Sequence, residues 1–398
     1  EQKCNYNIWE GSKDEDQEKS TLTLQNIILS DVQIRYLNLT NRIEALAHTR
    51  KLSVRADLQQ TENFFLFKGY LNFHRLFIGN TFKFNEKRLG VDLKMKYFNK
   101  KYTFFRSSFH SGRFTVNFDG EVSDMENTSV ELKFNAANAS IRELVSIYPV
   151  LPSKLREKYA LTDGMLDFDG SIQGIVSKES NPKIDVVFNV KDASVSNLLN
   201  KQKLSGISMN GKYSNGIRRN YSTAVLAIKK FNAKQGKSTF AGAIRIKGMN
   251  SSKIEVILRS EIQTNNFIAF LNVDTFKRIS GTITTDLHII GPLPSLKTIT
   301  PGNIVSLEKE GTVSFSDVSF QFRNDRKVFS ELNGNMILND NIKLRDLMFK
   351  LFDNDFMLNC NLTNLPQYLV NKESLSIDAK IQSGYFDIRS LQNDTSTD

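Results

Sequence analysis

The chain is poor in the residues that build metal and disulfide sites. Its 398 residues hold two cysteines, Cys4 and Cys360, far apart in sequence, which define no disulfide framework and no metal-ligand spacing. A bridge between them would require the ends of the chain to meet. The histidines His48, His74, His110 and His288 stand alone, with no H-x-x-x-H or C-x-x-C partner, so no metal and no cofactor is expected. There is no G-x-S-x-G elbow, phosphate-binding loop or G-x-G-x-x-G, and the chain does not read as an enzyme. Asp167 and Asp169 come nearest to a catalytic carboxylate pair, but they read as exposed acids beside a glycine turn. No apolar run reaches the roughly 18 residues of a membrane span, and no signal peptide is visible. The chain opens at Glu1 without a methionine, which reads as an excised or processed segment and leaves open an N-terminal targeting or anchoring element outside it.

Proline is scarce too, at 7 residues, whereas phenylalanine reaches 29. That balance argues for an ordered, β-rich chain. The net charge of +10 favours an acidic partner: nucleic acid, an anionic membrane surface or lipid headgroups. Lys and Arg nevertheless alternate with apolar residues, as in Val91-Asp92-Leu93-Lys94-Met95-Lys96-Tyr97, which is the pattern of a solvated strand face. A nucleic-acid partner is therefore not expected.

Period-two alternation runs through the chain. Leu22 to Leu29 and Val32 to Tyr36 read as two short strands joined at Ser30-Asp31, and Leu52, Val54, Ala56 and Leu58 as a third. Aromatic residues crowd from Phe64 to Phe84. Phe114, Val116 and Phe118, then Val130, Leu132 and Phe134, alternate in two further strands. Ile141, Leu144, Val145 and Ile147 follow at helical spacing behind Ser140, an N-cap with Glu143 three residues on.

The same order of events recurs. Phe114, Phe240 and Phe356 fall at equivalent places at a period of roughly 120 residues, as do helical tails at Ile141, Phe267 and Phe386. Each later copy is introduced by a hairpin, DGMLDFDGSIQG from Asp163 and SGTITTDLHIIG from Ser280, in which one glycine is expected to open the strand and another to close it. The expected organisation is a polar tail (1–20), N-terminal strands (21–62), three groove repeats (63–162, 163–279, 280–392) and a polar end (393–398).

The fold expected is mostly β: an elongated, twisted antiparallel sheet of repeated meander units, with short crossing helices at 140–159, 265–277 and 385–391. Those helices are too few to cover such a sheet, which leaves a partly open apolar trough. Its candidate lining is Phe114, Val116, Phe118, Val130, Leu132, Phe134, Phe240, Val256, Leu258, Phe356, Leu358 and Ile377.

The segments YPVLPSKLREKYALTDGMLDFDGSIQG, SGTITTDLHIIG and LNGNMILNDNIKLRDLMFKLFDNDFMLNCNLTNLPQYL resemble the AsmA-like proteins of the bacterial envelope, and LTLQNIILSDVQIRYLN resembles that family's N-terminal strand pair. The likeness runs from Thr21 to Leu391. The chain departs from the family pattern in lacking an N-terminal membrane anchor and in carrying Cys360 where the pattern often has a Ser-Gly type position. The resemblance implies a periplasmic, inner-membrane-tethered protein related in architecture to TamB and the chorein-type bridge proteins. Phospholipids or other acyl lipids would be its cargo and envelope proteins possible partners. A trough of Phe, Leu, Ile and Val would shelter acyl chains, and basic residues such as Lys94, Lys96, Lys229 and Lys230 would favour anionic headgroups or serve as ordinary strand-face lysines. The alternative is a non-catalytic scaffold that assists outer-membrane protein assembly.

Overall fold

A computed structural model describes residues 22–389 except 39–42, 60–61, 79–81, 125–127, 148–152, 178, 250–251, 273, 294–306, 340, 353, 366 and 369–371. The two polar ends and Cys4 lie outside the described residues, so the Cys4–Cys360 pairing does as well.

The described chain is mostly β. In order come β1 (Leu22–Asn38), β2 (Ile43–Leu58), β3 (Asn63–Ile78), β4 (Phe82–Phe98), β5 (Lys101–Ser111), β6 (Phe114–Asp124), β7 (Thr128–Ser140), α1 (Ile141–Ile147) and α2 (Ser153–Arg156). There follow β8 (Tyr159–Val176), β9 (Lys183–Asn197), β10 (Lys203–Ser214), β11 (Val225–Gln235), β12 (Ser238–Lys247), β13 (Ser252–Gln263) and α3 (Thr264–Leu271). The last are β14 (Phe276–Leu293), β15 (Glu308–Phe322), β16 (Val328–Leu338), β17 (Ile342–Leu351), β18 (Asn354–Thr363) and β19 (Ser376–Gln382). Every described ladder is antiparallel and joins strands adjacent in sequence, so the chain runs as a meander. Among the described residues β1 pairs with β2 alone and β19 with β18 alone, and the meander does not close.

The chain divides into two compact units, residues 1–110 with 117–129, and residues 111–116 with 130–398. In the first, register partners stack one apolar row on another: Ile27, Val54, Phe67 and Leu93, then Leu52, Gly69, Val91 and Phe109. Leu52, Val54 and Val91 are its buried core. The intervening residues point to the other face, where Lys68 meets Asp92 at 3.9 Å and Lys96 meets Glu62 at 2.5 Å. In the second unit β8–β13 and α3 are followed by β14–β19 and a helical turn starting at Ile388, six strands in each case.

Several readings of local structure are corrected. Leu22 to Tyr36 is one strand: Asp31 takes a left-handed conformation (φ 52°) inside it, although an Asp there has the chemistry of a turn. The glycines of DGMLDFDGSIQG and SGTITTDLHIIG lie inside β8 and β14 rather than at their ends. At Gly164 the reason is close approach, since a Cβ would stand 2.5 Å from the Cα of Ala193 on β9. The second helix stops at Leu271, and Phe276 and Lys277 already belong to β14. The α1 cap forms as its sequence suggests, the Glu143 amide donating to Ser140 Oγ at 3.4 Å.

One device recurs within the strands. Arg106, Asn138, Asp192, Asp317, Glu331 and Asp346 all have φ between 47° and 52°. In each case a side chain of the next or preceding strand accepts the amide: Asp119, Asp167, Ser208, Asn333, Ser319 and Asn359 respectively, at 2.6–3.4 Å. At Arg106, Asp192, Asp317, Glu331 and Asp346 the ladders shift register, as β-bulges do, and a bulge bends its strand. After five of the six comes a deeply buried residue: Ser107, Ala139, Ala193, Val318 and Leu347, each 8% exposed or less. The bulges therefore mark a crease beside which deeply buried side chains lie.

Candidate functional site

Within each unit the described strands form a single layer. Elements in substantial contact are neighbouring strands or a helix with its flanking strands. As a result, the largest side chains less than 2% exposed are Val91, Asn197, Asn354, Thr49, Ser107 and Ser238, with no Phe, Leu or Ile among them. Most of the apolar side chains are half-buried against one another on a single face.

That face is continuous across the second unit. Following register partners from β8 to β19 gives Leu166, Val190, Met209, Phe231, Gly242, Leu258, Leu287, Gly311, Leu338, Ile342, Leu362 and Ile377, with no polar side chain in the row. A second row runs Phe168, Phe188, Gly211, Ile228, Ile244, Val256 and Ile289, and ends at Lys309. Burial there lowers the Lys309 pKa, and its ammonium donates to the Leu307 carbonyl at 2.7 Å. In a third row Ser260 and Thr285 interrupt the apolar residues, and their hydroxyls bond each other at 2.7 Å. Each is thus satisfied without a partner from outside.

Aromatic rings reinforce the face. Phe134 lies over Gly170 and Phe188 over Gly211, each ring filling the space a Cβ would need. Phe320, Phe329, Phe349 and Phe356 form a run across β15–β18 with centroids 4.9–6.0 Å apart, and Phe386 closes on Phe356 at 6.0 Å. Helices cover only part of the face. Ile141 of α1 packs on Ala193, Ile207 and Ala233, and Phe267 of α3 meets Phe240 at 5.1 Å.

The opposite face is charged. Arg259 and Asp286 pair at 3.2 Å, His288 and Glu255 at 3.5 Å, Lys191 and Asp167 at 2.7 Å. Asp167 also accepts the Asn138 amide, and chiefly for that reason its carboxyl lies below the usual range. Asp167 is therefore committed to the crease. Lys96 belongs to the charged face of the first unit, while Lys229 and Lys230 are exposed on β11.

Leu258 and Ile377 sit in the first row, Val256 in the second, and Phe240 at the Ser260 position of the third. Leu358 lies between Leu347 and Ile381, and Phe356 in the ring run. Val130, Leu132 and Phe134 are half-buried on alternate positions of β7. Phe114 is buried with Ala136 and Ala139, with Val116 against them, which makes it a core residue rather than an open lining one. Phe118 stacks in the first unit between Phe104 and Phe109, at 5.6 and 5.0 Å. Sequence reading missed Leu287, Leu338 and Ile342, although each alternates in its own strand; the missing signal was which strand partners which.

Comparison with known protein families and with characterised proteins returns no match. Among solved structures, a BenF-like porin from Pseudomonas fluorescens Pf-5 aligns over 93% of this chain and 99% of its own at 12% identity, with a TM-score of 0.15. At that score the likeness carries no argument about fold or function.

Proposed function

We propose that this is an AsmA-like protein of the bacterial envelope, periplasmic and tethered to the inner membrane, which shelters phospholipid acyl chains on its apolar face as they pass between inner and outer membranes. It acts as a binding and transport protein and not as an enzyme. The observation that carries the reading is the twelve-strand row from Leu166 to Ile377, apolar or glycine at every position and largely uncovered. Such a surface gains about 0.8 kcal/mol for each methylene it withdraws from water. A two-chain lipid lying along it would be held without specific polar contacts, and its headgroup would stay at the margin.

The test is gentle purification followed by native mass spectrometry and lipid extraction. Phospholipid is expected with the wild-type chain and should be lost from a Val256→Asp, Leu258→Asp double variant that keeps its β circular-dichroism spectrum. Recovery of no lipid from the wild type, or equal recovery from both, would refute the reading.

A further inference from the structure

The β10–β11 connection, residues 215–224, holds the most exposed large apolar side chain of the described residues: Ile217 is 93% exposed, against 67% for the next, Leu199. The loop is not slack. Buried Asn215 accepts the Ile184 amide at 2.9 Å and donates to the Pro182 carbonyl at 2.8 Å. The Thr223 hydroxyl donates to the Asn215 carbonyl at 3.1 Å and accepts the Arg218 amide at 3.2 Å. The Asn220 side chain accepts the Thr223 amide at 3.2 Å, and the Met249 amide ties the loop to the next hairpin through the Tyr221 carbonyl at 2.8 Å. These bonds fix a rigid tip with the isoleucine in water, where it contributes nothing to folding.

The tip itself is cationic, and Asp185, opposite Ser214 at the same strand end, is already paired with Lys183 at 2.8 Å. Arg218 and Arg219 follow Ile217, and Tyr221 is 48% exposed. At the same end of the strands Lys247 is the register partner of Lys253, a like-charge opposition that is unfavourable unless an anion lies nearby. An exposed aliphatic tip, a tyrosine and several cations make up the composition of an interfacial anchor, with the apolar group among the headgroups and the cations on anionic phosphates.

We propose that the β10–β11 loop is a membrane contact that seats Ile217 in the headgroup layer of an anionic bilayer. The contact is separate from the apolar face and does not require that face to hold lipid. The test is co-sedimentation of the purified chain with vesicles of phosphatidylcholine alone and of phosphatidylcholine mixed with phosphatidylglycerol. Binding is expected to the mixed vesicles only. Ile217→Ser should weaken it roughly tenfold, the partition of one buried aliphatic side chain, and Arg218→Gln about fivefold. Ile257→Ser, at an isoleucine 42% exposed on the charged face, should bind as the wild type does. Ile217→Ser should still co-purify with the same lipid as the wild type. The proposal is overturned if both kinds of vesicle bind equally, if Ile217→Ser binds like the wild type, or if Ile257→Ser loses binding as Ile217→Ser does. Loss of co-purified lipid along with vesicle binding would place Ile217 on the lipid path and also overturn it. Failure of the wild type to bind either vesicle would overturn it in favour of a protein contact.

Discussion

Replacing Gly311 by alanine should force β14 and β15 apart. A Cβ at that position would stand 2.0 Å from the Asp286 carbonyl oxygen and 3.0 Å from the Leu287 Cα, both backbone atoms of the neighbouring strand. Carbon and oxygen of adjacent strands normally approach to about 3.3 Å, so the ladder must open by about 1 Å. Gly311 also has φ +133°, beyond the left-handed helical region and essentially reserved for glycine, which an L residue adopts at a cost of about 1–3 kcal/mol. Overpacking against backbone adds about 1–3 kcal/mol, for a loss of about 2–6 kcal/mol. Gly206 supplies the control. Its φ is +58° and nothing lies within 4 Å of a Cβ there, so Gly206→Ala should cost only the conformational part, about 1–2 kcal/mol. Urea unfolding gives the two losses, and hydrogen exchange at the β14–β15 amides should quicken for Gly311→Ala alone. Equal losses, or unchanged exchange in that ladder, would refute the steric argument.

Two further outcomes concern the crease. Asn359→Ala removes the acceptor of the Asp346 amide, bonded at 3.0 Å, and should cost about 1 kcal/mol in urea unfolding while speeding exchange of that amide; no change in exchange would mean that water serves equally well. The Asp167 carboxyl has a lowered folded-state pKa, first because it accepts the Asn138 amide, so its ionised form stabilises the fold. That contribution is complete above the ordinary value of about 3.9 and is lost as pH falls through it towards the folded-state value. Asp167→Asn should therefore melt earlier at neutral pH and show a shallower acid limb, and an unchanged acid limb would refute the role.

How much of this was legible depends on what each feature rests on. The apolar face was legible because alternation is written within each strand: Val256 and Leu258, or Leu358 and Phe356, can be paired without knowing the neighbours. The joining of those strands into unbroken rows was not, because register depends on bulges between strands. Those bulges leave little trace in composition. Arg106 and Glu331 have no turn chemistry, yet they adopt the left-handed conformation because an Asp119 or Ser319 from another strand accepts their amides. Asp31 shows the reverse case, a turn-like residue inside a continuous strand. Phe114 was assigned to an open lining because its period matched, whereas Ala136 and Ala139 are small enough to let it sink into a core.

The six-strand interval between the start of β8 and the start of β14 sets a length as well as a topology. Strands stand about 4.8 Å apart across a ladder, so six of them advance the apolar row by about 29 Å. Because the ladders join only neighbouring strands, adding or deleting one such block together with its helix would change the span of the row while leaving the other ladders paired as they are. The reach of the row would then change in steps of whole blocks, while the width and chemistry of the face stayed the same.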